Sequence, residues 1–156
     1  MSTLSPAVHL LFPLVAGETR LVIPLEETVL SAALKPASDR SQRLIVFVHG
    51  AASNASRWEE FVDTTALSQR WTLVRFDLRG HGASPARRPG RLENYADDIA
   101  AVIGAAGAHG PIVVVGHSLG AAVALVLARR FPHIVNGLIL IDPLLEIGRA
   151  SCRERV

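Results

Sequence analysis

The run from Pro111 to Ala128 is long and apolar enough to raise the question of a membrane span, yet Gly116-His117-Ser118 lies in its middle. A polar pair there would be costly in hydrocarbon, so the run reads instead as a buried strand, a Gly-rich turn and an apolar helix. This reading constrains the fold. A strand feeding directly into such a helix belongs to a parallel sheet whose faces are covered.

The same texture recurs along the chain. Ala7 to Leu34 holds short apolar runs separated by Gly17-Glu18 and Glu26-Glu27, which predicts a hairpin or meander. Leu44 to Val48 is a continuous apolar run ending at His49-Gly50, as expected of a strand buried on both faces. Asn54 or Ser56 can cap a helix running to about Ser68, with Trp58, Phe61, Val62 and Leu67 at helical spacing. Trp71 to Phe76 predicts a strand, Leu92 to Ala106 a helix with Tyr95, Ile99, Val102 and Ile103 inward, and Ile112 to Val115 a strand. Leu119 to Phe131 predicts a helix stopped by Pro132, and Gly137 to Ile141 a last strand. The expected class is α/β, a mostly parallel sheet with flanking helices. In such sheets the crevice lies beyond the carboxyl ends of the strands, so His49, Asp77, Gly116 to Ser118 and Asp142 should share one rim.

Composition narrows the function. With 49% hydrophobic and 19% charged residues among 156, the chain suits a buried core and not a disordered tail. The basic residues, arginines except for Lys35, are scattered, so nucleic-acid binding has no electrostatic support. One cysteine, Cys152, excludes a disulfide framework and a multi-cysteine metal site, consistent with a cytoplasmic protein without a metal. Leu4 to Ala16 lacks a basic lead and is broken by Pro6, His9 and Pro13, which argues against a secretory leader. There is no GxGxxG and no GxxxxGK[ST], so neither a nucleotide nor another cofactor is expected.

Gly116-His117-Ser118-Leu119-Gly120 matches GxSxG in a strand-to-helix context. A plain helix cap after a Gly-rich turn is the bland reading. The sharper one is a nucleophile elbow, which lifts the Ser118 hydroxyl into the crevice at a helix N-terminus that favours negative charge. Here the chain resembles the N-terminal part of an α/β-hydrolase-fold serine hydrolase, over residues from about 7 to 145. His49-Gly50-Ala51-Ala52 matches the family's HG turn, and Asp77-Leu78-Arg79-Gly80-His81-Gly82-Ala83-Ser84 is similar to its DxRGxGxS loop.

The resemblance implies that Ser118 is the nucleophile and that the N–H groups of Ala51 and Leu119 form the oxyanion hole. It implies that His49, Gly50, Asp77, Gly116, His117 and Gly120 are structural residues near the site. Asp77, Arg79, His81 and Ser84 then read as a hydrogen-bonded brace, Trp58 as core under the rim, and Arg87-Arg88 as a solvated loop.

A serine nucleophile needs a base and an acid to orient that base, and in this fold both follow the serine. Asp142 is a candidate acid. His133, the one histidine after Ser118, sits near the far end of the intervening helix, roughly 20 Å away at 1.5 Å per residue, too far to be the base. His117 should point away from Ser118. The expected fold is therefore incomplete, lacking the last strands, the usual acid site, the catalytic histidine and any cap.

Residues 1–145 read as the N-terminal part of one domain, and 146–156 as a non-native tail. Ile147 to Val156 resembles a translated short-read sequencing adapter, and its Arg149, Arg153 and Arg155 against Glu154 account for the net charge of +2. The expected function of the complete protein is hydrolysis of an ester-like or related carbonyl substrate through an acyl-enzyme, with this chain alone inactive. The partner would be a small molecule, not a membrane or nucleic acid, and oligomeric state is open. The alternative is a non-catalytic small-ligand binder using the same crevice.

Overall fold

The computed structural model describes residues 11–86 and 90–143; Arg87-Arg88 and the tail from 144 lie outside them. The expected hairpin is β1 (Thr19–Pro24) paired antiparallel with β2 (Val29–Lys35), the separator Glu26-Glu27 falling in its turn. β3 (Leu44–Val48), β4 (Thr72–Phe76), β5 (Ile112–His117) and β6 (Gly137–Ile141) follow, each parallel to its neighbours among them. The six strands form one sheet in the order β1-β2-β4-β3-β5-β6, with β2 antiparallel to β4. All five β3 residues are buried, as an unbroken apolar run between two sheet faces requires.

The 3.6-residue period of the apolar positions sets which faces the helices bury. The helix at Leu92–Ala105 buries Tyr95, Ile99, Val102 and Ile103, and that at Leu119–Arg130 buries Val123, Ala124 and Leu127, against Val46, Val74 and Val114 of the sheet. The opposite face packs Ile45, Phe47, Leu73 and Val115 against Trp58 and Val62. The Trp58 ring lies 5.2 Å from that of Phe47, under the rim as expected. Strand register puts Ile139 and Ile141 on this second face beside Val115, and both are exposed, at 52% and 40%.

The single helix expected to run to Ser68 is instead three short pieces. Asn54 accepts from Ser56 N at 2.9 Å and caps a 3-10 turn over Ala55–Trp58; α1 spans Glu59–Thr64; a second 3-10 turn spans Ala66–Gln69. Thr65 breaks the run. It is extended at φ −73°, ψ 138°, and its hydroxyl accepts from Leu67 N at 3.3 Å, a local bond that competes with continuation of the helix. Leu67, beyond the break, is consequently exposed, while Phe61 of α1 is half-exposed and keeps its ring edge-on to Phe47 at 5.5 Å. The helices Leu92–Ala105 and Leu119–Arg130 are α2 and α3.

One polar knot lies on the second face. Arg75 of β4 donates through Nε to Glu18 Oε1 at 2.8 Å and through Nη2 to Oε2 at 2.7 Å, with both side chains fully buried. Its remaining donors reach Ala55 O at 3.2 Å and Pro13 O at 2.7 Å, while Glu18 Oε2 also accepts from Val15 N at 2.8 Å. A buried ion pair is tolerated only when its leftover hydrogen-bonding capacity is filled in this way. The knot fastens the segment before β1 to the sheet.

Candidate active site

Ser118 stands between β5 and α3 at φ 52°, ψ −115°, a conformation that costs a non-glycine residue about 1–3 kcal/mol. Its amide donates to Ile141 O at 2.9 Å and its carbonyl accepts from Ala121 N at 3.0 Å, so the turn is held from both sides. The flanking glycines are dictated by contact. A Cβ on Gly116 would stand 2.6 Å from the Gly120 carbonyl carbon, and one on Gly120 would stand 2.5 Å from Val48 O. Leu119 is the first residue of α3, and its N–H has no intrahelical acceptor.

The HG turn lies against this elbow. A Cβ on Gly50 would be 3.3 Å from Ser118 Cβ and 3.1 Å from His117 Nδ1, so the Gly50-Ala51 peptide passes directly beside the serine. His49, fully buried, accepts from Leu78 N through Nε2 at 3.0 Å, which places the ring hydrogen on Nδ1. Nδ1 donates to Gly50 O at 2.7 Å. Burial, reinforced by the nearby His81, lowers the His49 pKa to about 4 against the pull of the Gly50 carbonyl, so the ring is neutral at neutral pH. Carbonyl and N–H point in opposite directions across a planar trans peptide. Fixing Gly50 O on His49 therefore turns Ala51 N–H away from that ring.

The loop after β4 forms the expected brace. Asp77 is fully buried and accepts from Ala55 N at 2.7 Å and Ala83 N at 2.8 Å; burial raises its pKa while these two bonds oppose the rise. Ser84 Oγ accepts from Ser31 N at 2.9 Å. Arg79 makes a two-pronged pair with Asp98 of α2, at 2.7 and 2.6 Å, which raises the arginine's pKa. Burial raises that of Asp98 against the opposing guanidinium. His81 Nε2 lies 2.7 Å from Ala51 O, and its Nδ1 3.1 Å from Arg79 O.

The rim thus brings together Ser118, Ala51, Leu119, His49, Gly50, Asp77, Gly116, His117 and Gly120. Asp142 follows Ile141 at φ 49° and is exposed, beside the elbow because Ile141 O holds the Ser118 amide. His117 leaves Nδ1 buried without a partner. His133 is not at the rim. It lines a cavity of about 560 Å³ with His109 and Ile112, at the opposite end of β5 from Ser118. Among the described residues no three His, Cys, Asp or Glu side chains come together as a metal site would need, and no helix is long and apolar enough to cross a membrane.

Two partnerships escaped the sequence reading. Asp98 carried a signal, a carboxylate one position from Ile99 inside the apolar stripe of α2. Arg75 and Glu18 carried none beyond the burial of their neighbours.

Residues 43–151 match the family model described as alpha/beta hydrolase fold. The 2-(acetamidomethylene)succinate hydrolase of Mesorhizobium japonicum is 40% identical over 114 residues, which are 71% of this chain and 40% of that protein. Lipase LipV of Mycobacterium tuberculosis is 33% identical over 112 residues, 72% of this chain and 41% of that protein. A crystal structure of E-2-(acetamidomethylene)succinate hydrolase superposes with a TM-score of 0.69 at 33% identity, covering 80% of this chain and 44% of that one. The chain spans about two fifths of the length of these relatives. With the elbow, the HG turn and the braced loop on one rim of this sheet, the chain belongs to the alpha/beta hydrolase fold family.

Proposed function

We propose that this chain supplies the nucleophile and oxyanion hole of a hydrolase that acts on an ester-like or related carbonyl substrate. The observation that carries the reading is the backbone of Ser118, strained at φ 52° and packed against the Gly50-Ala51 peptide. A serine that only capped α3 would need neither feature.

In this reading Ser118 Oγ attacks the carbonyl carbon and its proton passes to a histidine base. The carbonyl oxygen becomes an oxyanion held by Ala51 N–H and Leu119 N–H, each such donor contributing roughly 3–4 kcal/mol of barrier lowering. The base returns the proton to the leaving group, leaving an acyl-enzyme. Water then attacks the acyl carbon, its proton goes to the base, and Ser118 is regenerated as the acid product leaves. Asp142 is a candidate for orienting the base. Relatives named as a lipase and as a hydrolase of an acetamido-substituted succinate support a carbonyl substrate of small-molecule size.

The test is a fluorophosphonate probe and a p-nitrophenyl ester applied to the full-length protein. Labelling at Ser118, found by peptide mass spectrometry, and loss of turnover in Ser118→Ala are expected. Ester hydrolysis that survives Ser118→Ala would overturn the proposal, and absence of both labelling and turnover would favour a non-catalytic small-ligand binder.

A further inference from the structure

We infer that His81 is a positioning residue for the oxyanion hole, a role that rests on the reading above and adds a residue to it. Ala51 lies between two histidines. His49 fixes the carbonyl of the peptide before it, Gly50 O, at 2.7 Å, and His81 Nε2 fixes the carbonyl of the peptide after it, Ala51 O, at 2.7 Å. A carbonyl oxygen can only accept, and of the two carbonyls beside the ring Ala51 O at 2.7 Å is nearer than Arg79 O at 3.1 Å, so a hydrogen is assigned to Nε2. With both flanking carbonyls tied, Ala51 has little freedom to rotate, and its N–H cannot swing off the position that an oxyanion beside Ser118 would occupy.

His81 is itself held. Its ring packs edge-on to His49 with centroids 5.1 Å apart and faces Tyr95 of α2 at 6.5 Å. Two residues before it, Arg79 is locked to the fully buried Asp98 of α2 by two bonds. A path of direct contacts therefore runs from the interior of α2 through the loop after β4 to the peptide that donates to the oxyanion. Such preorganisation lowers the barrier because the donor need not be reoriented when charge develops.

The test compares His81→Phe, which keeps a ring against His49 and Tyr95 but has no donor, with His81→Gln, whose side-chain amide reaches the place of Nε2. In the full-length enzyme, His81→Phe is expected to lower kcat about 10- to 100-fold, less than deleting an oxyanion donor outright, with KM within about twofold. His81→Gln should restore kcat to within about threefold of the starting protein. The carbonyl carbon resonance of Ala51 should move upfield in His81→Phe and return in His81→Gln, a readout independent of turnover. Unchanged kcat in His81→Phe, or equal loss in both variants, would overturn the inference. A protein that never hydrolyses ester would remove the function on which it rests, and the Ala51 resonance would then still report whether the contact exists.

Discussion

The amide of Ser118 donates to the carbonyl of Ile141 at 2.9 Å, so the strained turn after β5 is anchored by the last residue of β6. Strain held this way is released by removing the Cβ. Ser118→Gly should therefore be more stable than Ser118→Ala by about 1 kcal/mol, the relief of a 1–3 kcal/mol strain less the extra chain entropy of glycine. Urea denaturation decides it, and equal or lower stability of the glycine variant would refute the strain assignment.

Two glycines should respond to alanine with opposite signs. Gly120→Ala drives a Cβ to 2.5 Å from Val48 O and should destabilise by about 1–3 kcal/mol. Gly104, exposed near the end of α2 with nothing within 4 Å of its Cβ position, should gain up to ~1 kcal/mol as alanine. Thermal melts of the two variants check both signs at once.

Glu18→Ala leaves the buried Arg75 guanidinium with only the half-exposed Glu59 carboxylate, 3.9 Å away, and should cost about 3–5 kcal/mol. Replacing both residues by methionine should cost far less, since no charge is then stranded. A double-mutant cycle measures the coupling; additive losses would mean that the two charges act independently.

His49 gives a pH dependence. Its folded pKa of about 4 lies below the ordinary value of 6.5, so its contribution is fully present above pH 6.5 and is lost as pH falls from there through 4. The span corresponds to about 3 kcal/mol. The stability difference between the starting protein and His49→Gln, followed by denaturation from pH 7.5 to 4, should shrink by that order on the acid side. A difference flat with pH would mean that His49 does not stay neutral in the fold.

Legibility in the sequence followed how local the physics was. β3 and β6 matched their expected bounds because continuous apolar runs end at Gly, His or Asp, and the elbow was readable because Gly116 and Gly120 bracket Ser118 within five residues. The helix expected to reach Ser68 failed at Thr65, where one hydroxyl bond outweighed apolar spacing. The knot between Glu18 and Arg75, and the contact of His81 with Ala51, join residues far apart in the chain whose side chains look ordinary in sequence. Such partnerships exist only once the sheet order is set.

That order also governs synthesis. β3 is the most deeply buried strand, and it is sandwiched between β4, which begins at Thr72, and β5, which begins at Ile112. At ribosomal speeds of about 5–20 residues per second, an apolar edge of β3 waits roughly 3–14 s for its second neighbour. During that interval Leu44 to Val48 presents an unpaired apolar edge of the kind that templates pairing with another chain.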